Sequence, residues 1–254
     1  MLLAIDIGNT NIVFGIYDGG DWKNIWRIQT DPSKTADEYE VIFRTLFTGG
    51  QISKNDIDRI ILSSVVPALN REFEAMLINY IRVKPRLLTP DCFSRLPLRI
   101  LNPYEIGSDL VANAMAAYSR FKRHCMVIDF GTALTFITVA ADGAILGVAI
   151  APGLRTAIRS LSGSTAQLPD VQPVMPPSAL GTNTVHAIQA GIVIGYTGLV
   201  DRIISRTEEQ LNTRLQVIAT GGLSSVFAHE HTRIEFVDEN LTLDGLELIS
   251  RLIC

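Results

Sequence analysis

The feature that most constrains this chain is a phrase it contains twice. Residues 4–20, AIDIGNTNIVFGIYDGG, and residues 127–143, VIDFGTALTFITVAADG, share one order: apolar run, Asp, a small-residue turn with Gly, a second apolar run, then Asp-Gly. That order is the signature of strand, turn, strand and hairpin. Asp6 and Asp129 lie 123 residues apart, and Gly8 and Gly131 keep the same offset, so the repeat is close to half the chain. Solenoid units run to roughly 20–50 residues, so a period this long points to duplication of a whole small domain. The expectation is two similar lobes, residues 1–118 and 119–254.

The segments between the two phrases alternate helix and strand. TADEYEVIFRTLF opens with a capping box, Thr35 with Glu38, and sets Tyr39, Ile42, Phe43 and Leu46 on one helical face. IDRIILSSVVP is a buried strand, and Pro67 suits the first turn of the helix that follows. PRLLTP is a further short strand, and GSDLVANAMAAYSRF is a helix that Ser108 or Asp109 is placed to cap. In the second half, APGLRTAIRS starts a short helix and a long Pro/Gly/Ser-rich stretch follows it. TVHAIQAGIVIGYTGLVDRIISRTEEQL is helical, LQVIATGG is a strand ending at Gly221-Gly222, and LTLDGLELISRLI is a last helix.

Composition narrows the function. Apolar residues are 47% and charged ones 19%, enough for a folded core throughout. A formal charge of -4 without a Lys/Arg cluster offers no field for a nucleic-acid backbone. Cys92, Cys125 and Cys254 have neither disulfide-framework nor zinc-ligand spacing, which suits a reducing cytoplasm, and His124, His186, His229 and His231 have no metal-ligand spacing. The N-terminus enters a strand at once, with no export signal. The longest apolar run, residues 187–200, contains Gln189, falls short of the ~20 residues needed to span a bilayer, and reads as a buried helix.

The repeated turns carry the chemistry. Gly8, Asn9 and Thr10 form a tight turn with backbone N–H groups and short polar side chains suited to phosphate oxygens, and Gly131, Thr132 and Ala133 repeat it. Neither turn opens a helix, and GxxxxGK[ST] and GxGxxG are both absent, which disfavours a P-loop or a dinucleotide-binding lobe. Asp6 and Asp129 each end an apolar strand, where an ionised carboxylate needs a cation or several donors.

Two Asp-x-Gly hairpins in a duplicated α/β chain resemble the actin, sugar kinase and Hsp70 superfamily. More narrowly, the chain resembles type III pantothenate kinases, through DIGNTNIVFG (6–15), NPYEIGSD (102–109), DFGTALTF (129–136), APG (151–153), TAQLPDV (165–171), GTNTVHAIQAGIVIG (181–195), TGGL (220–223) and LTLDGL (241–246). The resemblance implies two ribonuclease H-like lobes with a central cleft, an actin-like ATPase fold, and transfer of phosphate from ATP to the primary hydroxyl of pantothenate. It implies that Asp6, Ile7, Gly8, Asn9, Thr10, Asn11, Ile12 and Val13 wrap the ATP phosphates, with Asp6 helping to hold Mg²⁺. By the same resemblance Thr132 is expected to touch phosphate, Gly221 and Gly222 to approach the adenosine, and Asp129 to hold a monovalent cation, K⁺ or NH₄⁺. The resemblance implies further that Asp109 is the proton acceptor, that Tyr104, Gly107, Ser108, Asp109 and Leu110 line the pantothenate pocket, and that Thr184 completes that of a neighbouring subunit in a homodimer. The helix around Gly191 and Gly195 suits that interface, and equally suits close packing within one subunit.

Two positions depart from the family pattern. Leu110 stands where the pattern has Arg, and Ile137 where it commonly has Asp. A leucine binds neither carboxylate nor phosphate. One reading is an active kinase in which another cation, Arg155 or Arg159, substitutes; a second is a catalytically impaired, nucleotide-binding accessory or regulatory member; a third is a sugar or acetate kinase on the same scaffold.

Overall fold

Both copies of the phrase form the same strand pair in the computed structural model, which describes residues 1–224, 227 and 233–254. His229 and His231 lie outside the described residues. The first copy gives β1 (Leu2–Ile7) and β2 (Asn11–Asp18), followed by β3 (Asp21–Gln29), α1 (Ala36–Gly49), β4 (Arg59–Ser64), α2 (Pro67–Tyr80), β5 (Arg86–Leu87), α3 (Pro90–Phe93) and α4 (Ser108–Phe121). The second gives β6 (Cys125–Phe130) and β7 (Ala133–Val139), then β8 (Ile145–Pro152), α5 (Leu154–Ser164), α6 (Thr184–Gln189), α7 (Gly195–Leu211), β9 (Gln216–Thr220), β10 (Phe236–Val237) and, as α8, Leu241–Ile253.

The first sheet is ordered β3-β2-β1-β4-β5 and the second β8-β7-β6-β9-β10. In each, the hairpin strands pair antiparallel and the leading strand pairs parallel with the strand that returns after helical connections. The duplication in sequence is therefore a duplication of topology.

Met1–Ala116 with Leu241–Cys254 form one compact unit, and Ala117–Asn240 form the other. The sequence reading ends the first lobe at residue 118 and gives the terminal helix to the second. In the structure α8 packs on β1 and β4 of the first sheet, because its face of Leu241, Leu243, Leu246 and Ile249 is buried there. Gly245 lets α8 approach the backbone of α4 at Ala112, where any Cβ would overlap the carbonyl, and Thr242 donates its hydroxyl to Asn113 Oδ1 at 2.8 Å. The last helix thus fixes the position of α4.

The first core joins Ile5, Ile7, Ile12 and Phe14 of the sheet to Tyr39, Phe43 and Phe47 of α1 and Leu69, Phe73 and Met76 of α2. Thr35 and Glu38 close the expected capping box on α1, and α2 begins at Pro67. The second core joins Met126, Ile128 and Phe136 to Val193, Tyr196, Val200 and Ile204. Helix 184–211 differs from its expectation in two respects. Its segment Ala190–Ile194 is π-helical, and only one face is buried, with Gly191, Ile194, Gly195 and Gly198 exposed. By length and composition it is apolar enough to cross a membrane, yet its buried face belongs to the second core.

Candidate active site

In the first unit, β1 delivers Asp6 to the end of the sheet, next to the turn of Gly8, Asn9 and Thr10. The turn closes through Gly8 N–H to the Asn11 carbonyl, 3.0 Å. Thr30 pins it from behind: its N–H donates to the Thr10 carbonyl at 3.0 Å and its hydroxyl to the Gly8 carbonyl at 2.6 Å. With those carbonyls turned inward, the exposed side of the turn presents Asn9 and Thr10. Ile7 and Ile12 lie wholly in the core, so only their backbone is available to a ligand, while Asn11 and Val13 are half-buried. Asp6 Oδ1 accepts a hydrogen bond from Ser63 Oγ at 2.8 Å.

Helix α4 brings Asp109 into the same unit. Gly107 immediately precedes the helix, and a Cβ there would collide with the Asp109 carboxylate. Burial pushes the Asp109 carboxyl above its ordinary pKa, opposed by the Leu110 N–H that donates to Oδ1 at 2.8 Å. Desolvation of that kind raises the basicity of a carboxylate. Ser108, expected as a cap or a substrate contact, spends its hydroxyl on Ser63 Oγ at 2.9 Å and on the Ser64 N–H at 3.1 Å. Leu110 is buried and Tyr104 is 83% exposed.

In the second unit, Asp129 occupies the position in β6 that Asp6 occupies in β1. The turn of Gly131 and Thr132 is exposed, and its Thr132 carbonyl is pinned by the Gly153 N–H at 3.0 Å and the Thr156 hydroxyl at 2.7 Å. Gly221, with φ +89°, lies against the Asp129 carboxylate and the Phe130 backbone; a Cβ would strike both. Gly222 beside it is exposed. Thr184 is exposed at the start of α6, whose N-cap Asn183 accepts from the His186 N–H. Arg155 and Arg159 are exposed on α5, and Ile137 is buried in the sheet.

The sequence model of type III pantothenate kinases matches residues 2–206. A type III pantothenate kinase of Myxococcus xanthus is 43% identical over 249 residues, covering 98% of this chain and 97% of its own length.

The chain belongs to the type III pantothenate kinase family.

Solved structures place the fold more widely. A Campylobacter jejuni protein described as a Baf-family transcriptional activator aligns with TM-score 0.63 at 18% identity, covering 98% of this chain and 97% of its own. An inorganic polyphosphate/ATP-glucomannokinase of Arthrobacter aligns with TM-score 0.52 at 18% identity, covering 99% and 98%. At those identities the likeness is of fold alone, the actin-like and sugar kinase architecture.

Within this type III pantothenate kinase frame, sequence reasoning missed three hydroxyl residues. Thr30 pins the first turn, Ser63 faces Asp6, and Thr220 stands opposite Asp129 in the parallel β6–β9 register, as Ser63 stands opposite Asp6 in β1–β4. For Ser63 and Thr220 the signal was a hydroxyl within the last two residues of each returning strand, in LSS and IAT, but only pairing shows what it faces.

Proposed function

We propose that this chain phosphorylates pantothenate from ATP, the first step toward coenzyme A, with Asp109 as proton acceptor. Family membership over nearly the whole chain carries the substrate assignment. The desolvated carboxyl of Asp109 at the head of α4 supports its role. As the pantothenate hydroxyl oxygen bonds to the γ-phosphorus in line, the bond to the β-phosphate bridge oxygen breaks, ADP leaves, and the hydroxyl proton passes to the Asp109 carboxylate.

The turn of Gly8, Asn9 and Thr10 cradles phosphate through its exposed side, with backbone contributions from Ile7 and Ile12 and the flanking Asn11 and Val13. Thr132 touches phosphate, and Gly221 and Gly222 approach the adenosine. Among the described residues no group of three or more His, Cys, Asp or Glu side chains could hold a metal. Asp6, an oxygen donor at a strand end, fits Mg²⁺ carried in by the phosphates, and that ion would neutralise charge on the transferring group. Asp129 holds the monovalent cation. Gly107, Ser108, Leu110 and Tyr104 border the pantothenate site, Ser108 through its place in the helix start. The chain works in the cytoplasm as a homodimer in which Thr184 reaches the neighbouring subunit's site, and the open face of Gly191, Ile194, Gly195 and Gly198 supports that association.

A second reading, a nucleotide-binding accessory member, is favoured by one observation: the side chain that follows Asp109 is the buried, uncharged Leu110. Coupled ADP release decides between them. At millimolar ATP with Mg²⁺ and K⁺, the kinase reading predicts turnover that depends on pantothenate; ADP release indifferent to pantothenate would falsify it.

A further inference from the structure

We infer that Ser63 is a positioning residue, whose hydroxyl holds the Asp6 carboxylate and the first turn of α4 in one fixed relation. Ser63 is fully buried, so it touches no ligand itself. It is the penultimate residue of β4, whose parallel register sets it directly opposite Asp6. From there it joins three segments far apart in sequence: Asp6 of β1, Ser63 of β4 and Ser108 of α4.

The direction of the chain follows from what each group can donate. A carboxylate only accepts, so the Ser63 proton points to Asp6 Oδ1, 2.8 Å away. The Ser63 oxygen is then left to accept, and the Ser108 hydroxyl, which also has the Ser64 carbonyl in reach at 3.3 Å, donates to the nearer Ser63 oxygen at 2.9 Å. Ser108 in turn accepts the Ser64 N–H at 3.1 Å. Both buried hydroxyls are satisfied, and every dipole in the chain points at Asp6, an arrangement in which each bond polarises the next. Ser108 is the residue before Asp109 and the first of α4, so the same chain that steadies Asp6 fixes where the proton acceptor's helix begins.

The second sheet supplies an independent reason to read this as part of the frame. Its returning strand, β9, places the buried Thr220 opposite Asp129 in the same register. A hydroxyl recurs where an apolar residue would fill the space equally well.

The inference deepens the kinase reading, and two measurements on the full-length chain keep them separable. In hydrogen–deuterium exchange, Ser63→Ala should speed exchange in peptides covering residues 4–9 and 107–112 by about tenfold or more, and leave 133–139 unchanged. Exchange at the parent rate in 107–112 overturns the inference, whether or not the protein is a kinase. In steady-state kinetics with ATP and pantothenate, Ser63→Ala should lower kcat by about tenfold with either KM within about twofold, since the group lost never meets a substrate. Ser63→Thr, which keeps the hydroxyl, should restore kcat to within about threefold of the parent. The Ser63→Ala/Ser108→Ala double variant should fall no further than Ser63→Ala alone, because the two residues act in one chain. Parent-level kcat in Ser63→Ala, or losses that multiply as if independent, overturns it. If Ser63→Ala gives no cooperative melt, Ser108→Ala carries both tests, with faster exchange in 4–9 expected and an unchanged rate there contradicting the inference. Absence of pantothenate-dependent turnover in the parent sinks the kinase reading and leaves the exchange result to decide this one.

Discussion

The two sheets share strand order, register, an aspartate at the same place and a hydroxyl residue opposite it, but they differ in what the neighbouring segments bring against that aspartate. In the first, Asp6 is held by a side chain, Ser63, and the chain continues through Ser108 to the helix that carries Asp109. In the second, Asp129 is crowded by backbone, with Gly221 in a left-handed conformation against it. One copy has therefore become tied to a second acid and the other to a close backbone approach. Duplication supplied the frame, and the two copies diverge in the segments after the returning strand. After β4 comes Pro67 and a long helix; after β9 comes Gly221-Gly222.

The sharpest contrast is between the acids. Asp109→Asn should lower kcat by about 10³-fold, within the range for loss of a general base, while nucleotide still binds. Asp129→Asn should lower it by about tenfold and remove activation by K⁺, because the role proposed for it is to hold a cation rather than a proton. Steady-state rates over a K⁺ titration check both, and equal losses in the two variants would erase the division of labour.

The raised pKa of Asp109 adds a pH test. The proposed proton acceptor acts in its ionised form, so kcat/KM should fall as pH drops through a value above the ordinary carboxylate pKa, and that limb should vanish from the residual activity of Asp109→Asn. Linkage gives the sign for stability. A carboxyl with a raised folded pKa binds its proton more tightly in the native state, so native stability falls as pH rises from the ordinary value to the raised one. Above that window, thermal melts of Asp109→Asn should lie no lower than the parent's.

Glycine substitutions probe the backbone side of the comparison. Gly221→Ala meets a positive φ and the Asp129 carboxylate together, and should destabilise by roughly 1–3 kcal/mol with a weaker response to nucleotide. Gly131→Ala finds only ordinary contact at 3.4 Å from the Ala133 carbonyl, so it should be nearly neutral in chemical denaturation. The smallest effect belongs to the periphery. Thr35→Ala removes the capping box of α1, for which the second unit's α5 has no side-chain counterpart, and should lower stability by about 1 kcal/mol, read as a shift of roughly 2–4 °C in Tm.

These contrasts mark how far the sequence can be read. The doubled strand pair, the Thr35 cap, the Pro67 helix start and the aspartates at the strand ends are local patterns, and each stands in the structure where the residues place it. What escaped is non-local. Ser63 meets Asp6 because two parallel strands align, and Thr30 reaches the first turn from the far end of β3. The terminal helix joins the first sheet because its apolar face fits there, against its order in the chain. Helix 184–211 is apolar enough to read as buried, but periodicity does not reveal that one of its faces stays open.

A structure with pantothenate and a non-hydrolysable ATP analogue bound tests the account most directly. It should show the substrate's primary hydroxyl within hydrogen-bonding reach of the Asp109 carboxylate, and phosphate oxygens against the backbone N–H groups that follow Asp6. Phosphates seated away from that turn, or an acceptor hydroxyl facing some other residue than Asp109, would contradict it.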